Sequence, residues 1–132
     1  MTNASAVSPV CARFHRAIEL IGSRWTGAIL QTLLQGKTRY AYIRAAVPEI
    51  TDRMLSERLR LLEAEGLVVR MVVPESPVRV EYELSEKGQQ LQSALQEIAT
   101  WAERWIPLPG ETDKDLTQKA QPGRRVRKVR QA

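Results

Sequence analysis

The sequence predicts an α+β fold, mostly helical, and three observations carry the prediction. Apolar residues recur at helical spacing in five stretches. The period switches once, between Leu67 and Leu84, to alternation. Two of the helices are joined only by Pro48, Glu49 and Ile50. At 132 residues the chain has room for one compact domain with a modest core. Residues 9–106 are expected to form it, with 1–8 as a flexible arm and 107–132 as a disordered basic tail.

Composition narrows the function classes. Lys and Arg number 20 against 15 Asp and Glu, a formal charge of +5. Seven basic and three acidic residues fall after Gly110, so the part before it is close to neutral. A DNA-binding surface must therefore rest on where the domain's charges sit, not on their sum. One cysteine and one histidine exclude an intrachain disulfide and a conventional zinc site within a single chain, and no cofactor is expected. The opening MTNASAVSPV lacks signal-peptide character and no apolar run is long enough to cross a bilayer. A cytoplasmic, nucleoid-associated protein without a membrane partner is the expectation.

In chain order, Ser8 and Pro9 form a helix-start signal, and Phe14, Ala17, Ile18 and Ile21 make an apolar stripe that Gly22 ends. Cys11 is expected on or beside that stripe. In SRWTGAILQTLLQG a second helix carries Trp25, Ile29, Leu30, Leu33 and Leu34, and Trp25 is assigned to the core. KTRYAYIRAAVP holds a short helix through about Val47, because Pro48 disfavours helical geometry before it.

Thr51 to Gly66, TDRMLSERLRLLEAEG, is the stretch the others serve. Thr51 is a good N-cap, Asp52 suits the first turn and Gly66 a left-handed stop. Leu55, Leu59 and Leu62 share one face, while Arg53, Ser56, Glu57 and Arg60 fall largely on the other. LVVRMVV and VRVEYEL then bracket Pro74 to Pro77 as a hairpin. Pairing Val73 with Val78 sets Val69 opposite Tyr82 and Arg70 opposite Glu81. Short helix, brief turn, capped helix and hairpin together spell a winged helix-turn-helix with a two-stranded wing. Ser85 opens a last helix of about twenty residues, on the order of 30 Å, ending before Pro107. Its stripe of Leu95, Ile98, Trp101 and Trp105 exceeds what so small a domain buries, so a twofold partner is expected to cover it together with Phe14 and Ile18 of the first helix.

The order CARFHRAIELIGSRWTGAIL, RYAYIRAAVPEITDRMLSERLRLLEAEGLVVR, PESPVRVEYELSEKG resembles the HxlR family of bacterial winged-helix transcriptional regulators, from about Cys11 to Trp105. The resemblance implies a homodimer, formed through the first and last helices, on a near-palindromic double-stranded operator. Members with an N-terminal cysteine include sensors of oxidants and electrophiles, and Cys11 stands at a matching place. Here Ala12 follows it where the family often has proline, and no second cysteine exists. Oxidation is thereby limited to a Cys11 disulfide across the dimer, a small-thiol adduct or a sulfenic acid.

Thr51, Arg53, Ser56, Glu57 and Arg60 are the base-reading candidates, with Arg53 and Arg60 best suited to guanine. Arg39 and Arg44 flank the helix as candidates for phosphate contacts, and Arg79, near the wing tip, for a phosphate or the minor groove. Cys11 is a candidate redox sensor, its thiol acidified by His15, Arg13 or Arg16; the competing reading is a half-buried cysteine acting as a small hydrophobe. A small ligand near Trp101 and Trp105 is a further candidate effector. Two rivals stand beside the regulator: a winged-helix protein-interaction module with no DNA target, and an enzyme with Cys11 as nucleophile and His15 as base. The enzyme lacks any evident oxyanion donor or orienting group, and no catalytic residue is assigned.

Overall fold

The computed structural model describes residues 9–112 and 114–117. They divide into two compact units, one ending at Gln90 and one beginning at Leu91. The expected N-terminal arm and most of the expected tail lie outside the described residues.

The first unit opens with α1 (Ala12–Ile21), three residues later than the Ser8–Pro9 signal suggests. Val10 is 67% exposed and would give an earlier turn nothing to pack against. Cys11 is the N-cap instead, and its carbonyl accepts the first helical bond from the His15 N–H at 3.0 Å. α2 (Thr26–Leu33) buries Ile29, Leu30 and Leu33. Trp25 is half-buried, not core as expected: it precedes the helix in a left-handed conformation, φ 75°, and so stands off the stripe. The Arg24 guanidinium covers its ring, 4.8 Å from the centroid.

Next comes β1 (Thr38–Arg39), then α3 (Tyr40–Ala46), three turn residues and α4 (Asp52–Ala64). Ile43, Val47, Ile50, Leu55, Leu59 and Leu62 are each at most 2% exposed, and they form the centre of the core with the α2 residues. Gly66, at φ +78°, stops α4 as expected, since a left-handed residue is easiest for glycine. β2 (Val68–Val73) and β3 (Arg79–Leu84) form the wing.

The sheet order is β1-β3-β2, so the two expected strands gain a third. β1 is too short to show alternation; pairing of Thr38 with Tyr82 and Arg39 with Glu81 creates it. The hairpin register differs by one residue from the expected one. Val68 pairs with Leu84, Arg70 with Tyr82 and Val73 with Arg79, leaving a five-residue loop. Matching valine to valine at the loop gave way to burying Val68, Tyr82 and Leu84 on one face. α3, its turn, α4 and this hairpin make a winged helix-turn-helix, as the sequence predicts.

The expected long last helix is interrupted. α5 (Glu86–Gln89) is one turn, capped by the Ser85 hydroxyl, which accepts from the Gly88 N–H at 3.1 Å. α6 (Gln92–Trp105) follows after Gln90 and Leu91 and belongs to the second unit. At 14 residues it spans about 21 Å rather than 30. Beyond it, Leu108 N–H donates to Glu111 Oε1 at 2.9 Å, and Leu116 is buried. Among the described residues no helix is long and apolar enough to cross a membrane, and no cluster of three acidic, His or Cys side chains is placed for a metal.

Gly88 explains how tightly α5 seats: a Cβ there would lie 2.3 Å from the Leu67 carbonyl oxygen. Backbone cannot yield as a side chain can, so Gly88→Ala is expected to cost about 3 kcal/mol, read from the urea midpoint. A cost below about 0.5 kcal/mol, the range of neutral surface changes, contradicts this packing.

Candidate nucleic-acid interface

α4 is fully buried along one face only. Leu55, Leu59 and Leu62 are at most 1% exposed, while on the opposite face the Arg53 side chain is 89% exposed. Arg53, Glu57 and Arg60 all lie on that outward face, and Arg53 Nε is 3.9 Å from Glu57. An exposed pair of this length restrains neither side chain strongly.

The start of α4 is fastened from two directions. Thr51 Oγ1 accepts from the Met54 N–H at 3.1 Å, the expected cap. Asp52 Oδ1 accepts from Arg44 Nε at 2.8 Å and from the Tyr40 hydroxyl at 3.3 Å. The same hydroxyl lies 3.3 Å from Ser56 Oγ. α3 thus grips the first two turns of α4 through the Asp52 carboxylate and the Tyr40 hydroxyl. Arg44 and Ser56 have scaffold partners in this arrangement, whereas Arg53 and Arg60 keep their hydrogen-bonding capacity outward.

Arg39 lies in β1 with its guanidinium 5.8 Å from the Tyr42 ring centroid. Arg79 is clamped on the wing: its Nε donates to Glu81 Oε2 at 2.8 Å and its Nη1 to Glu75. The structure therefore brings Thr51, Arg53, Ser56, Glu57 and Arg60 together on one helix, with Arg44 at its foot. Arg39 and Arg79 sit apart on the sheet. Three further arginines, Arg24, Arg58 and Arg70, line open clefts beside α4 and were passed over in the sequence. For Arg58 the helical position beside Arg60 was the available signal; Arg24 and Arg70 reach α4 only through the tertiary fold.

Cys11 is exposed, not half-buried. Its thiol is pulled below the ordinary thiol range by the backbone N–H groups of Phe14 and then Arg13, against a small opposing desolvation. The cause is the helix start, not the side chains expected from sequence. His15 stands 3.5 Å from Glu19, and Arg16 is paired with Glu65 at 2.6 Å. Of the expected interface residues, Phe14, Ile18, Ile98, Trp101 and Trp105 are 50–61% exposed, and Leu95 is half-buried. α1 contains no buried residue at all.

Glu81 is held below the usual carboxylate range, chiefly by its hydrogen bond from Arg79. A carboxylate depressed in this way favours the folded wing above its unfolded value, and that contribution fades as pH falls through the folded one. NMR titration should place the Glu81 midpoint below that of an exposed glutamate, and Arg79→Gln should raise it. An unshifted midpoint in the parent, or no change in the variant, contradicts the clamp.

The family model described as HxlR-like helix-turn-helix matches residues 20–109. The HTH-type transcriptional regulator YvaP of Bacillus subtilis (strain 168) is 48% identical over 99 residues, covering 75% of this chain and 92% of that protein. The HTH-type transcriptional regulator YodB of the same organism is 42% identical over 103 residues, 78% of this chain and 91% of YodB. Its reduced form superimposes with a TM-score of 0.66 at 41% identity, over 78% of this chain and all of that one. YodB has also been solved after diamide treatment and bound to quinone. The redox regulator HypR in its oxidised form gives a TM-score of 0.69 at 34% identity, over 74% of this chain and all of that one.

Proposed function

This chain belongs to the HxlR-like helix-turn-helix family, and from that premise we propose a DNA-binding transcriptional regulator that acts as a homodimer on a near-palindromic operator. The observation that carries the reading is the one-sided burial of α4. A helix capped, clamped and packed along one face, with Arg53 and Arg60 exposed on the other, is suited to enter a major groove. Arg53 and Arg60 are assigned to base edges, and Thr51, Ser56 and Glu57 to neighbouring bases or phosphates. Arg39, Arg44 and Arg79 are assigned to the backbone. Arg44 and Arg79 would first exchange their present carboxylate partners for phosphate, so they are the weaker contacts.

The second copy covers the exposed apolar residues of α1 and α6. Phe14, Ile18, Ile98, Trp101 and Trp105 are too many large apolar side chains for solvent alone. The signal is assigned to Cys11. Its exposure and lowered thiol pKa raise its thiolate fraction above that of an ordinary surface thiol, and YodB and HypR, solved in different redox states, are the kind of relatives this predicts. An electrophilic quinone would add directly to the thiolate. An oxidant such as diamide would take two electrons and two protons from a Cys11 pair to form one disulfide across the dimer. The protein is placed in the cytoplasm with the DNA it serves.

Two measurements test this. Fluorescence anisotropy with the DNA upstream of its own gene should give specific binding that Arg53→Ala and Arg60→Ala each weaken by about tenfold or more, with the dimer intact by sedimentation. Equal affinities of parent and both variants at one salt concentration remove the assignment. For the thiol, the pH midpoint of iodoacetamide alkylation should lie below that of an unfolded peptide carrying the same residues. Coincident midpoints would leave Cys11 an ordinary surface thiol.

A further inference from the structure

α4 is bordered on both flanks by an open cleft, and the two are built alike. One, of about 430 Å³, is lined by Arg24, Trp25, Met54, Glu57, Arg58 and Leu61. The other, also about 430 Å³, is lined by Ser56, Arg60, Glu63, Arg70 and Tyr82. Each sets an arginine of α4 beside an arginine from another element: Arg58 with Arg24 from the turn before α2, Arg60 with Arg70 from β2. The observed register is what turns Arg70 this way, since it sits across from Tyr82, on the α4 side of the sheet.

Charge in the clefts is only partly compensated. Each holds two guanidinia and one carboxylate, and Glu57 lies beside a third arginine, Arg53, at 3.9 Å. Among the described residues none of Arg24, Arg58, Arg60 and Arg70 has an ion-pair partner. Two guanidinia against one carboxylate leave each cleft net positive, and an anion seated there would complete the balance.

The geometry selects the anion. Arg58 and Arg60 are two residues apart, about 200° around the helix axis, and so project to opposite flanks. A helix with its side chains is about 10–12 Å across and the major groove about 12 Å wide, so a helix seated in the groove has one sugar-phosphate strand along each side. Resting on the DNA reading above, we propose that the two clefts are phosphate seats for the two strands of one duplex. Arg24 and Arg58 hold a phosphate of one strand, and Arg70, beside Arg60, holds a phosphate of the other. The pair fixes how deeply and at what angle α4 enters the groove, without reading any base.

Arg24→Ala, Arg58→Ala and Arg70→Ala test this in the full chain; none belongs to the base-reading set. Each is expected to weaken binding about tenfold, equally for the operator and an unrelated duplex, and to reduce the slope of log K against log salt by about one. Arg58→Lys should keep most of the slope, because a phosphate accepts any point charge. Ethylation interference then assigns the strands: Arg24→Ala and Arg58→Ala lose a signal on one strand, Arg70→Ala on the opposite strand. Unchanged slopes with affinities within twofold of the parent overturn the proposal, as do losses confined to one strand. If the parent itself retains no duplex at any salt concentration, the DNA reading fails, and the clefts lose their occupant with it.

Discussion

Three leucines fix the orientation of everything else. Leu55, Leu59 and Leu62 lie along one side of α4 and are essentially removed from water, a burial of roughly 2 kcal/mol each. No rotation of the helix keeps them buried while hiding Arg53 or Arg60. The outward face is therefore a consequence of the core, and it stays outward as long as the core exists. Caps and clamps refine that outcome. Thr51 fixes where the helix begins, and Asp52 ties it to α3 through Arg44 and Tyr40.

The arginines around α4 fall into two groups by what they touch. Arg44 meets Asp52, Arg79 meets Glu75 and Glu81, and Arg16 meets Glu65. These hold helix to helix or stiffen the wing. Arg24, Arg58, Arg60 and Arg70 form no ion pair among the described residues, and Arg53 forms one only at 3.9 Å. The part of the chain before Gly110 is close to neutral in sum, yet the second group gathers on and beside one helix. Position, not net charge, concentrates positive charge on this side of the small domain.

Local signals in the sequence were legible, and tertiary ones were not. The Leu55, Leu59, Leu62 spacing, the Thr51 cap and the Gly66 stop all act within α4, so the helix could be read end to end. The wing was legible as a hairpin, but its register was not. A match of valine to valine across the loop is worth less than burying Val68, Tyr82 and Leu84, and burial depends on what lies above the sheet. That single slip concealed Arg70, which appeared to face Glu81. β1 exists only because β3 offers it an edge. Trp25 looked like core because its neighbours in sequence are core; a left-handed backbone at a tryptophan leaves no trace in composition. Cys11 was singled out for its place in the sequence, but the groups that acidify it are backbone amides rather than the basic side chains nearby.

In the homodimer proposed above, the exposed apolar residues of α1 and α6 meet a second copy, and reading a near-palindrome would require the two copies of α4 to be held at a fixed spacing. Recognition helices paired by a twofold axis meet successive major grooves about 34 Å apart. Hydroxyl-radical footprinting of the complex on its operator measures that spacing directly. Two protected patches on one face of the duplex, about one helical turn apart, are the predicted result. A single protected patch, or two with no fixed separation, would contradict the account.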